Sequence, residues 1–152
     1  MDKVILINKP KGYTSRDVVN AVCRKFNTKR VGHFGTLDPL ASGLLIIGIG
    51  ALTKLGNFSL FDDKVYRAEV LMGVSTDTYD VTGSVVSRSG YASCDDILSC
   101  LNSFIGTYDQ EVPIYSAVKV NGRKLYDYAR NGEVVDLPSK SVTIHSIYDV
   151  SF

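Results

Sequence analysis

The segment 31–43, Val-Gly-His-Phe-Gly-Thr-Leu-Asp-Pro-Leu-Ala-Ser-Gly, concentrates the residues with chemical potential. Its carboxylate, Asp38, stands directly before Pro39. A residue before proline is biased out of the helical region, so Asp38 is displayed from a constrained turn. Leu37 and Leu40 flank it and can bury that turn. A carboxylate in a partly apolar setting can serve as a nucleophile or general base. The same residue can equally do no more than close an Asx-type turn. Gly32, Gly35 and Gly43 permit backbone shapes closed to other residues, including close approach to a ligand. His33 lies in the same segment, and a lone histidine there is as readily a structural hydrogen-bonding group as a catalyst. Asp77 and Asp80 are too sparse a pair of oxygen donors for a metal site and are read as turn-closing residues.

Other chemistries lack their motifs. The glycines of 32–43 match neither a phosphate-binding loop followed by Lys-Ser/Thr nor a dinucleotide fingerprint. No Gly-x-Ser-x-Gly elbow is present. Cys23, Cys94 and Cys100 form an odd set without Cys-x-x-Cys spacing, which favours a reducing compartment over a disulfide scaffold or a zinc site. No metal or cofactor is expected.

The elements that position these residues can be read from patterning. Residues 4–7 are an apolar, β-branched strand. Thr14 and Asp17 fit a capping box that opens an amphipathic helix, Ser15–Phe26, with Val18, Val19, Val22, Cys23 and Phe26 on one face. Residues 31–43 fit neither periodicity and are expected as a shaped loop. A buried strand is expected at 44–50, a short helix at 53–61, and a strand at 66–74 that opens with Tyr66, read on residue type as a core side chain. A polar turn follows at 75–83. A second capping box at Ser93 and Asp96 opens a helix reaching Phe104. A strand at 114–120, the turn pair Asn121-Gly122 and a helix at 124–130 come next. The period-two series Val142, Ile144, Tyr148, Val150 and Phe152 makes the chain end in a strand. Mixed helices and strands without regular β-α-β spacing predict an α+β fold with a mostly antiparallel sheet.

The 152 residues are 45% apolar and 22% charged, which excludes disordered and collagen-like chains and fits one domain or part of one. No apolar run approaches the ~18 residues of a membrane-spanning helix. The opening Met1-Asp2-Lys3-Val4-Ile5 lacks the regions of a signal peptide, so a cytoplasmic location is expected. The net charge of +1 hides an asymmetry: residues 1–54 carry nine basic side chains against three acidic ones. That lobe is a polyanion footprint or simply a solvated helix face.

Four blocks together carry a resemblance: Lys9-Pro10-Lys11-Gly12-Tyr13-Thr14-Ser15, the run from Gly32 to Gly43, Ser75-Thr76-Asp77-Thr78-Tyr79-Asp80, and the run from Val112 to Tyr126. In this order they resemble the TruB family of tRNA pseudouridine synthases over about residues 5–148. Phe34 departs from the threonine most common at its position in that family. The resemblance implies an α+β pseudouridine synthase fold and an isomerase, without cofactor or metal, acting on the T-stem-loop of tRNA at uridine 55. By carry-over Asp38 is the nucleophile, and Tyr66 stacks on the flipped uracil and assists proton loss from C5. His33 contacts the RNA beside the extruded base. Lys9 and Pro10 support the loop, and Gly35 and Thr36 complete the substrate-binding set. The carboxylate can attack ribose C1′ or uracil C6. Flipping of the base onto an aromatic platform suits this chemistry.

The family's Ser-Lys-Gly-Thr-Tyr-Ile-Arg-like strand, whose arginine pairs with the aspartate, and its C-terminal PUA domain find no match here. Residues 1–152 are accordingly expected to be the N-terminal part of a catalytic domain. The full-length enzyme is expected to be monomeric, and the 152 residues alone to self-associate and lack turnover. Two competing readings are a non-catalytic RNA-binding module on the same fold and a guide-RNA-dependent synthase; absence of that branch's extensions weighs against the latter.

Overall fold

The computed structural model describes residues 1–57 and 63–152, which divide into two units, Met1–Arg67 and Ala68–Phe152. In the first unit, β1 (Lys3–Lys9) pairs antiparallel along its whole length with β3 (Gly43–Ile49). On the other side of β3 lies β2 (Val31–His33), also antiparallel. The segment 31–43 is therefore not loop throughout: Val31–His33 is strand because β3 offers it a free edge. Side chains alternate between faces along a strand. Leu45, Ile47 and Ile49 thus share one face and pack with Val18, Val19 and Val22 of α1 (Ser15–Phe26), with Ile5, Ile7 and Val31 at the margin.

Helix α1 starts as its sequence dictates. Thr14 Oγ1 accepts from the Asp17 N–H at 3.1 Å, and Asp17 Oδ2 accepts from the Thr14 N–H at 2.9 Å. The helix ends at Asn27, in the left-handed region at φ 45°. A 3-10 helix, Gly50–Asn57, replaces the expected helix at 53–61, whose last four positions lie outside the described residues. Phe34 continues the β2 pairing by donating its N–H to Ile46 O at 2.8 Å. Its ring lies over Gly48, where an added Cβ would come within 2.6 Å of it, and beside Gly56. The glycines make the slot that an aromatic residue at position 34 requires.

The second unit holds a hairpin of β4 (Val74–Thr76) and β5 (Val85–Arg88), then α2 (Cys94–Ser103) with the Ser93–Asp96 capping box intact. Strand β6 (Gly106–Glu111) pairs with β9 (Ser139–Ile144). Between them, β7 (Lys119–Val120) and β8 (Arg123–Lys124) flank Asn121-Gly122 and lead into α3 (Leu125–Asn131), which buries Leu125 and Tyr128. All ladders among the described residues are antiparallel and mixed with helices, which is the α+β class expected. No helix among the described residues is long and apolar enough to cross a membrane.

Three strand expectations need correction. Of 66–74 only Val74 is strand; Tyr66, Val70 and Leu71 are 70–74% exposed in irregular chain. β-Favouring residues form a strand only against a partner, and no ladder among the described residues includes 66–73. Of 114–120 only Lys119–Val120 is strand. The carbonyls of Ser116 and Val118 instead accept from Tyr126 and Leu125 N–H at 3.1 and 2.8 Å, satisfying the first turn of α3. The last strand ends at Ile144, opposite Gly106, because β6 extends no further; the chain does not finish in a strand.

Candidate active site

Asp38 begins a tight turn. Its carbonyl accepts from Ala41 N–H at 3.0 Å, with Pro39 and Leu40 as the central residues. Proline is pre-set for the first central position of such a turn. The turn is closed by main chain, so the Asx-type bond is not made: among the described residues the Asp38 carboxylate has no hydrogen-bond or ion-pair partner, and the residue is exposed. The apolar setting expected from Leu37 and Leu40 is thus only partial, since both are half-buried beneath an open carboxylate.

The main chain around Asp38 is held from the segment that precedes α1. Gly12 N–H donates to Pro39 O at 2.7 Å. The Ser15 hydroxyl donates to Leu37 O at 3.2 Å and accepts from Leu37 N–H at 3.0 Å. Lys9 completes this arrangement from below. It is fully buried, and its ammonium donates to Pro10 O at 3.1 Å and Tyr13 O at 2.6 Å. A buried ammonium is tolerable only when its donors are used. Here they shape the 10–13 loop whose Gly12 reaches the Asp38 turn. Lys9, Pro10 and Asp38 therefore belong to one connected structure.

His33 ends β2, half-buried, with Nδ1 hydrogen-bonded to Gly35 O. A carbonyl only accepts, so Nδ1 carries a proton directed at Gly35 O. Gly35 has φ +120°, a conformation that L side chains rarely adopt, and an added Cβ would meet nothing within 4 Å. Its glycine is required by backbone shape and not by crowding. Thr36 is exposed beside it. Tyr66 is 70% exposed and, among the described residues, makes no hydrogen bond or ring contact.

Charge is arranged on the same unit. Arg16, Arg24, Lys25, Lys29 and Arg30 are exposed, and among the described residues none is paired with a carboxylate. Asp17 is held below its ordinary value of 3.8 by hydrogen bonds from Thr14, side chain first and backbone second. In the second unit Asp77 and Asp80 close the β4–β5 turn. Asp80 Oδ1 accepts from Thr82 N–H and from the hydroxyls of Thr78 and Thr82, while Asp77 Oδ1 accepts from Ser84 N–H. The Thr82 bonds, followed by those of Thr78 and Gly83, hold Asp80 low as well.

The sequence singles out Asp38, Lys9 and Pro10, which share this turn and its supporting loop, but gives no role to Ser15 and Gly12, which grip the turn. The available signal was a serine immediately inside the capping box, at the first helical position, where its own hydroxyl is not needed for capping.

Comparison with known proteins gives consistent matches. The family model described as "TruB family pseudouridylate synthase (N terminal domain)" matches residues 23–152. The chain is 46% identical over 148 residues to a protein of Clostridium kluyveri named tRNA pseudouridine synthase B, covering 97% of this chain and 51% of that protein. It is 44% identical over 149 residues to the protein of the same name from Thermotoga maritima, covering 97% of this chain and 48% of that one. Among solved structures, a chain of a Cbf5-Nop10-Gar1 complex superposes with a TM-score of 0.52 at 27% identity, over 76% of this chain and 30% of the other. The chain thus spans about half the length of the curated relatives it matches.

Proposed function

The chain belongs to the TruB family of pseudouridylate synthases, and from that membership we propose that it acts in converting uridine 55, in the T-loop of tRNA, to pseudouridine. The observation that carries the reading is the Asp38 carboxylate, exposed and, among the described residues, unpartnered, on a turn whose main chain is gripped on both sides.

In this mechanism the Asp38 carboxylate bonds to ribose C1′ or uracil C6 as the N1–C1′ bond breaks and frees the base. That Asp38–carbon bond breaks again, returning the carboxylate, when C5 bonds to C1′ (attack at C1′) or after it (attack at C6). The base rotates, C5 bonds to C1′, the C5 proton leaves and N1 gains one. Atoms and electrons balance without an oxidant or metal. Tyr66 stacks on the flipped uracil and assists removal of the C5 proton; its exposed ring is free to do so. His33 meets the RNA beside the vacated position, its ring orientation set by the Nδ1 bond to Gly35 O. Gly35 and Thr36 line the approach, and Lys9 holds the supporting loop. The exposed basic side chains of the first unit meet phosphates, which fixes register without reading bases.

The test is a tritium-release assay with the full-length protein on tRNA labelled at uracil C5. Release in step with pseudouridine at position 55 supports the reading. Binding of tRNA without release favours a non-catalytic RNA-binding module.

A further inference from the structure

We infer that Ser15 is a positioning residue for Asp38, acting by clamping both polar groups of the Leu37 main chain. Ser15 is 4% exposed, and it reaches across 22 residues of sequence to donate to Leu37 O and accept from Leu37 N–H. A hydroxyl is the smallest side-chain group that donates and accepts at one atom. The clamp fixes the peptide groups on either side of Leu37, one residue before the reactive carboxylate. On the far side of Asp38 the Gly12 N–H holds Pro39 O. The carboxylate is thereby suspended between two anchors that both belong to residues 12–15, the entry to α1. Helix α1 is itself fixed by its capping box and by Val18, Val19 and Val22 in the core. Orientation of Asp38 is therefore inherited from a rigid helix, although the carboxylate has no partner of its own among the described residues. Misplacement of a reacting group by about 1 Å can cost on the order of 100-fold in rate.

This inference rests on the reading of Asp38 as nucleophile, so its test has two arms, both on the full-length protein. Hydrogen exchange reads the clamp itself, and tRNA kinetics reads its consequence. Ser15→Ala removes the clamp, Ser15→Cys keeps the size with a weak donor, and Ser15→Thr restores the hydroxyl. We expect the Leu37 amide to exchange at least about tenfold faster in Ser15→Ala while core amides such as Ile47 are unchanged. We expect kcat to fall about ten- to a hundredfold with KM and tRNA affinity within about threefold, an intermediate loss in Ser15→Cys, and recovery in Ser15→Thr. If Ser15→Ala does not fold, Ser15→Cys decides by the same readings. Unchanged Leu37 protection overturns the clamp. A loosened Leu37 with unchanged kcat overturns the positioning role. A wild-type protein that makes no pseudouridine overturns the proposed function, while the exchange arm still decides the clamp.

Discussion

At Asp38, the proposed nucleophile, the backbone is held although the side chain is open. Its neighbours' polar groups, Leu37 N–H, Leu37 O and Pro39 O, are all engaged, and the carboxylate is left open to solvent. Gly35 contributes through shape. Gly35→Ala meets no clash but must hold φ near +120°. The expected cost is roughly 1–3 kcal/mol of stability, read by urea unfolding, with a loosened His33–Gly35 bond and reduced turnover. Asp38 was legible in sequence because Gly and Pro fix backbone shape wherever they stand. Ser15 was not, since its bond to Leu37 spans 22 residues and a serine beside an N-cap looks solvent-facing.

At the scale of elements, local chemistry was readable and pairing was not. Both capping boxes formed as their spacing dictates, because each closes within four residues. Strand β6, Gly-Thr-Tyr-Asp-Gln-Glu, has no apolar alternation and exists only because β9 lies beside it. The strand expected at 66–74 failed for the converse reason. Removing the α1 cap by Thr14→Ala should cost about 1 kcal/mol in chemical unfolding, and should loosen the entry that carries Gly12 and Ser15. The cap also has a pH signature. Asp17 is depressed by its Thr14 bonds, so the folded state binds its proton less readily than the unfolded chain. Stability from this group is complete above its ordinary value of 3.8 and is lost as pH falls through the lower folded value. Thr14→Ala should therefore flatten the acid limb of the stability profile. An acid limb identical to wild type would show that the Thr14–Asp17 pair contributes nothing there.

For the whole molecule, the charge asymmetry and the family blocks were the informative sequence signals, and the α+β class followed from the mixture of periodicities. The basic first third presents Arg16, Lys25, Lys29 and Arg30 at the surface, unpaired with any carboxylate among the described residues. If they meet tRNA phosphates, log affinity falls with log salt, and charge reversal at a contacting position should reduce the slope by about one unit. Filter binding across a salt series reads this directly, and an unchanged slope for all four would return them to a solvated surface. The proposed chemistry turns on Asp38. The most direct measurement compares the full-length protein with its Asp38→Asn variant on a tRNA transcript, mapping pseudouridine by mass spectrometry and measuring tRNA affinity in parallel. The predicted result is pseudouridine at position 55 with the wild type and none with Asp38→Asn, at affinities within about threefold, because binding comes from phosphate contacts and not from one carboxylate. Measurable turnover by Asp38→Asn, with deamidation excluded, would contradict it.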